Sequence, residues 1–259
     1  MRRLLLATTT IAITLGCAAP GDSGAQVAES WVSCHQPVEG NPQVLVYTRT
    51  TGFRHGSIPA GVQAVRRLGE QLGFGVAHTE DPEQFSAQSL APFAAVIFLN
   101  TTGDILDDAQ QGAFEAFIQR GGGFVGVHSA ADTEYDWPWY GQLVGAWFAS
   151  HPRIQEGRLS VPDRAHPSTR CLSEPWVRVD EWYDFRSPPP EGTSILLTID
   201  ETSYDGGGMG SLHPMAWARE VAGGRAWYTA LGHTTESYSE PAFLDHLAGG
   251  IIWAVRGEQ

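Results

Sequence analysis

Nine histidines and not one lysine stand in this chain of 259 residues, and all sixteen of its basic residues are arginine. Lysine Schiff-base chemistry, a pyridoxal phosphate anchor and a Walker A phosphate loop are thereby excluded. Acid–base work is left to imidazole, tyrosine and carboxylate, of which imidazole titrates nearest neutral pH. His55, His128 and His233 each stand in a polar stretch that follows an apolar run, at 48–57, 126–132 and 231–234. Together with a carboxylate such as Asp132, these three could supply a three- or four-ligand site for one divalent ion such as zinc. No His-x-x-x-His spacing adds to that reading, and the sequence makes no other cofactor certain. Gly121-Gly122-Gly123 reads as a helix end running into a strand, not as a phosphate loop.

The other histidines carry less. His151, His166 and His213 each precede a proline, which favours extended loop structure. His35, His78 and His246 read as ordinary surface or core residues. The run Asp180-Glu181-Trp182-Tyr183 sets carboxylates beside aromatic rings, a combination that suits the apolar faces and hydroxyl edges of sugars. Trp137, Trp139, Trp147 and Trp217 divide between that role and plain core packing. No Asp/Glu pair at strand ends supports a two-carboxylate glycosidase.

These side chains need a scaffold, and the hydrophobic pattern describes one. Short apolar runs at 43–48, 74–78, 94–99 and 124–127 read as buried strands, separated by amphipathic helices at 57–72 and 107–120. Such alternation implies a single doubly wound, mostly parallel sheet of flavodoxin-like type, with functional groups beyond the carboxyl ends of its strands. After Trp137 the pattern loosens. Strands are expected at 194–199, 214–219 and 225–230, and a closing helix at 243–255, with loops at 187–190 and 205–208. No linker divides the body, which is taken as one domain over 41–257.

Composition limits the partners. A formal net charge of −13 with no basic stripe argues against nucleic acid and favours neutral or cationic small molecules, here a carbohydrate. Residues 1–16 have the charged start and short apolar stretch of an export signal, too short to span a bilayer. The sequence Thr14-Leu15-Gly16-Cys17 resembles the bacterial lipobox, although Thr14 departs from the usual leucine. Cys17 is therefore the expected lipidation site, ordinary secretion being the alternative, 17–40 a tether and N-terminal segment, and the lipid anchor the chain's one tie to a membrane. In an exported chain, Cys34 and Cys171 are expected to form a disulfide, two buried thiols being the alternative.

The dispersed motifs, taken in order, resemble the ThuA-like family associated with trehalose utilisation. They are Thr48-Arg49-Thr50-Thr51-Gly52-Phe53-Arg54-His55-Gly56-Ser57, Gly126-Val127-His128-Ser129-Ala130-Ala131-Asp132, His151-Pro152, Asp180-Glu181-Trp182-Tyr183, His213-Pro214 and Leu231-Gly232-His233-Thr234. The resemblance implies the fold of class I glutamine amidotransferases. Their nucleophilic cysteine is replaced here by His128, so glutaminase activity is not expected. It also implies carbohydrate chemistry, linked to 3-keto glycosides, in which a base removes the C2 proton, the anomeric substituent leaves and water adds back. On that reading His128 is the base, Arg54 or a metal steadies the enolate, and His55, His233 or Glu181 is the acid. Ser129, Asp132, Trp137, Tyr183, His213 and Trp217 would bind the sugar. The alternative is a non-catalytic sugar-binding lipoprotein.

Overall fold

Strand β1 (Gln43–Tyr47) has four consecutive residues, Val44 to Tyr47, with essentially no exposure, so both of its faces are covered. The computed structural model describes residues 34–256. In chain order the further elements are α1 (Ile58–Leu72), β2 (Gly75–Thr79), α2 (Ala87–Leu90), β3 (Phe93–Leu99), α3 (Asp108–Gln119), β4 (Gly123–Val127), α4 (Pro138–Val144), β5 (Phe148–Ser150), β6 (Gln155–Ser160), β7 (Trp176–Asp180), β8 (Asp184–Phe185), β9 (Ser194–Asp200), β10 (His213–Val221), β11 (Gly224–Thr229) and α5 (Pro241–Arg256). Nine strands form one sheet in the order β2-β1-β3-β4-β11-β10-β9-β6-β7.

The first five strands in that order run parallel, and β1 lies between β2 and β3. The chain therefore changes direction of winding beside β1, where a doubly wound sheet opens its crevice. The expected flavodoxin-like layout is thus present. An antiparallel extension, β10-β9-β6-β7, is joined to it through β11. Each antiparallel step reverses the chain, so β9 and β7 point the same way as β11. The ends of β1, β3, β4, β11, β9 and β7 consequently reach one edge, and β10 begins there.

Sequence chemistry accounts for the helices. Pro59 follows the cap position of α1, and Gly73 ends it at φ +76°, which glycine adopts without strain. Asp107 and Gln110 close a reciprocal capping box on α3. The irregular stretch after Trp137 contains α4, β5, β6, β7 and β8, none of which the apolar pattern announced. A disulfide joins Cys34 to Cys171, with Cα atoms 6.2 Å apart, as expected. The export signal, Cys17 and tether residues 17–33 lie outside the described residues.

Candidate functional site

His128 directly follows β4 and sits in the left-handed region at φ +51°, fully buried. A left-handed backbone conformation at a non-glycine residue costs about 1–3 kcal/mol and persists where the surroundings enforce it. Here the Tyr228 hydroxyl donates to the His128 carbonyl (2.8 Å), and the ring Nδ1–H donates to the Ala230 carbonyl (2.7 Å). With its proton on Nδ1, the ring offers a bare lone pair on Nε2. That nitrogen faces the Tyr183 hydroxyl at 2.9 Å, His233 Nδ1 at 3.0 Å and Glu181 Oε2 at 3.4 Å.

His233 follows β11 by way of Gly232 at φ +105°, which needs glycine. The N–H groups of Gly232 and His233 donate to the two oxygens of Asp180, a fully buried carboxylate paired with Arg178 at 3.0 Å. His55 follows β1, its ring edge-on to those of His128 (4.8 Å) and His233 (5.1 Å), with Nδ1 3.3 Å from Ser129 Oγ. Glu181 arrives from the end of β7. Its Oε2 lies 3.1 Å from His233 Nδ1 and its Oε1 3.1 Å from His151 Nδ1. The short β5–β8 pair brings Phe148 and His151 beside Tyr183.

The electrostatics follow from this crowding. Burial opposes charge on Glu181, but hydrogen bonding with His128 and His233 and the positive charge that those rings carry when protonated outweigh it and hold the carboxyl far below its usual range. Burial likewise disfavours charge on His233, and the hydrogen bond and charge of Glu181, with Asp180 behind it, raise that ring overall. His55 is driven down to about 3, first by burial and then by the neighbouring histidines. Burial keeps the Tyr183 hydroxyl protonated far above neutral pH.

A divalent ion fits this group. One ligand atom from each of His55, His128, Glu181 and His233 lies within 4.8 Å of the others. Three of them form a triangle with sides of 3.0, 3.1 and 3.4 Å. Neighbouring ligands on a tetrahedral ion with bonds of about 2.0–2.1 Å are spaced in this way. The Nδ1–H of His128 on a backbone carbonyl is also the usual outer support of a ligating imidazole. The carboxylate of the group is Glu181, not Asp132, which accepts a hydrogen bond from Tyr135 (2.7 Å).

A second group, Asp184, Glu201 and His213, has ligand-like spacing, but its atoms are engaged. Glu201 Oε1 accepts from the Met209 and Gly210 N–H groups (2.7 and 2.8 Å) and meets His213 Nδ1 at 2.9 Å, while Asp184 Oδ1 accepts from Gly208 N–H. His213 Nε2–H donates to the Tyr183 carbonyl (2.7 Å). This group fastens the glycine-rich loop and the backbone of Tyr183.

The sequence expectations divide accordingly. His55, His128, Ser129, Glu181, Tyr183 and His233 converge. Arg54 instead pairs with Glu80 at 2.6 Å. Three expected sugar contacts are corrected. His213 is fully buried with both nitrogens engaged, and Trp137 and Trp217 are core residues, the latter donating Nε1–H to the Val144 carbonyl (2.8 Å). His151, weaker in the sequence than the three strand-end histidines, joins them through a strand pairing that the sequence does not display. A cavity of about 680 Å³ lined by Asp163, His166, Arg219 and Trp253 includes none of the converging residues.

Residues 43–254 match the family model described as ThuA, trehalose utilisation. Among solved structures, a ThuA-like protein from Bacteroides uniformis superimposes with a TM-score of 0.70 at 21% identity, over 86% of this chain and 94% of that one. A ThuA-like protein from Parabacteroides merdae gives 0.69 at 22% identity, over 86% and 91%. A β-galactosidase from Rahnella gives 0.50 at 15% identity, over 82% of this chain and 31% of that enzyme. No curated protein matches the sequence.

Proposed function

The chain belongs to the ThuA family, and from that premise we propose that it is a metal-supported enzyme of the cell envelope that opens neutral 3-keto glycosides by elimination and rehydration. The observation that carries this reading is the packing of three imidazoles and a carboxylate against one another at the crevice of the sheet, with the Tyr183 hydroxyl 2.9 Å from His128 Nε2. His55, His128, His233 and Glu181 would hold the ion, which when bound supplies Lewis acidity toward a sugar oxygen. His128 then serves as a ligand, and the base must be sought at the rim.

His151 meets the requirement. Its Nδ1 contacts two acceptors, the Pro152 carbonyl at 2.8 Å and Glu181 Oε1 at 3.1 Å, so the proton sits on Nδ1 and Nε2 is bare. The side chain is 40% exposed and so open to a ligand. In the proposed step His151 Nε2 takes the C2 proton, acidified by the C3 ketone. The electron pair forms the C1=C2 bond and the C1–O bond breaks. Tyr183 donates its hydroxyl proton to the departing oxygen, and water adds across the double bond in the reverse sense. Export with lipidation at Cys17 belongs to the same proposal, supported by the Cys34–Cys171 disulfide and the leader pattern.

The test is turnover of 3-keto-trehalose by the zinc-loaded protein. His151→Ala and Tyr183→Phe are expected to lower kcat by about 10²–10⁴-fold with sugar affinity preserved. A wild-type protein that binds the sugar and leaves it unchanged would be a carrier rather than an enzyme.

A further inference from the structure

Phe53 is held by an ordered loop and yet gives its ring to water. It is 67% exposed, the one aromatic side chain among the exposed large hydrophobics of the described residues. Its loop between β1 and α1 is fastened at several points. Thr51 N–H donates to the Thr102 carbonyl (2.9 Å), Thr51 Oγ1 to the Asp104 carbonyl (3.0 Å) and Thr102 Oγ1 to the Phe53 carbonyl (2.8 Å). Gly52 packs so closely that a Cβ there would lie 3.3 Å from Thr102 Oγ1. A lone exposed apolar side chain is ordinary on a protein surface; Phe53 is set apart by being held in an ordered loop against the histidine group.

The ring stands edge-on to His55, with centroids 4.9 Å apart. From there contacts run through His55 to His128 (4.8 Å), on to Tyr183 (4.3 Å) and to Phe148 (4.4 Å). Phe53 thus stands at one end of a chain of ring contacts that passes through the histidine group and reaches Phe148 at the other. Arg54, next to it in the chain, and Glu80, the partner of Arg54, are both about half exposed and add hydrogen-bonding groups. An apolar face flanked by such groups matches a saccharide, whose ring offers C–H bonds on its face and hydroxyls on its edge.

We propose that Phe53 is the stacking platform for the sugar unit adjoining the one that faces the histidine group, which makes the preferred ligand a neutral saccharide of two or more units. The formal charge of −13 disfavours acidic sugars. This proposal rests on the carbohydrate reading of the site.

The experiment compares wild-type, Phe53→Ala and Phe53→Trp proteins by calorimetric titration with zinc and then, zinc-loaded, with trehalose and 3-keto-trehalose. Phe53→Ala is expected to weaken binding of the sugar bound by wild type by about tenfold. Phe53→Trp should retain it, and zinc affinity and melting temperature should stay at the wild-type values. Sugar affinity within twofold of wild type in Phe53→Ala overturns the platform. So does a parallel loss of zinc affinity, which would make Phe53 a prop for His55. If wild type binds neither sugar, the carbohydrate reading falls, and the platform with it.

Discussion

Glu181 touches three imidazoles, His128, His151 and His233, and among the described residues no other carboxylate contacts more than one of them. In Glu181→Gln one oxygen becomes an N–H donor and the negative charge is lost. Zinc affinity is expected to fall by at least about 10–100-fold, and the proton on His151 Nδ1 loses its charged partner. Equilibrium titration against a zinc chelator checks this, and unchanged affinity would remove Glu181 from the ligand set. At this scale the sequence was informative where residues trail a strand, because parallel strands deliver their ends to one edge. That logic found His55, His128 and His233. It misled at Trp137 and Trp217, since an aromatic residue has the same composition signal in a core as on a sugar shelf.

The elements explain what the sequence concealed. The end of β7 reaches the edge only because the extension reverses direction four times, and β6 and β7 alternate buried and exposed residues without a turn signal of the usual length. The parallel half was legible, since its strands are continuous apolar runs. Helix α5 gives two predictions. A Cβ on Gly249 would lie 2.4 Å from Ser168 Cα and 2.5 Å from the Pro167 carbonyl, backbone atoms that cannot turn aside. Gly249→Ala is therefore expected to destabilise by about 1–3 kcal/mol in denaturant unfolding, although alanine favours a helix by about 1 kcal/mol. A stabilised variant would show that the helix can lift from that turn.

The second prediction from α5 is a pH dependence. His246, fully buried, is lowered to about 3 by burial, and His166 to about 4 for the same reason. Both are neutral in either state above the ordinary histidine range and contribute no slope there. As pH falls through about 6.5, the unfolded chain takes up protons that the folded chain refuses, so stability declines toward pH 4. Each histidine contributes at most about 1.4 kcal/mol per pH unit. Asp245, raised to about 6 by burial, acts in the opposite sense between its ordinary range and 6 and offsets part of the decline. His246→Gln should be less stable at pH 7 and lose less between pH 6.5 and 5. Parallel profiles for the two proteins would show that His246 is not one of the groups responsible.

At the scale of the whole molecule, the start of the described chain is sewn to two distant parts of the body, the turn at Arg170-Cys171 and helix α5. The Cys34–Cys171 bond spans 137 positions. Arg170 Nη2–H donates to the Cys34 carbonyl (3.0 Å), His35 Nε2–H to the Asp245 carbonyl (2.9 Å) and Arg256 Nη2–H to the Pro37 carbonyl (2.7 Å). If Cys17 carries a lipid, a load on the anchor enters the domain at this point. A cross-link closing so long a loop removes about 5 kcal/mol of unfolded-state freedom on the chain-entropy account, and native disulfides of secreted domains are measured at about 2–5 kcal/mol. The paired variant Cys34→Ser, Cys171→Ser is therefore expected to melt roughly 5–20 °C lower, at about 2–4 °C per kcal/mol for a domain of this size. The histidine group contains no sulfur ligand, so zinc affinity of the folded variant should equal that of wild type. A calorimetric scan decides the first expectation and a zinc titration below the transition decides the second. An unchanged melting temperature would mean that the hydrogen bonds alone hold the segment, and a loss of zinc binding would tie the disulfide to the site.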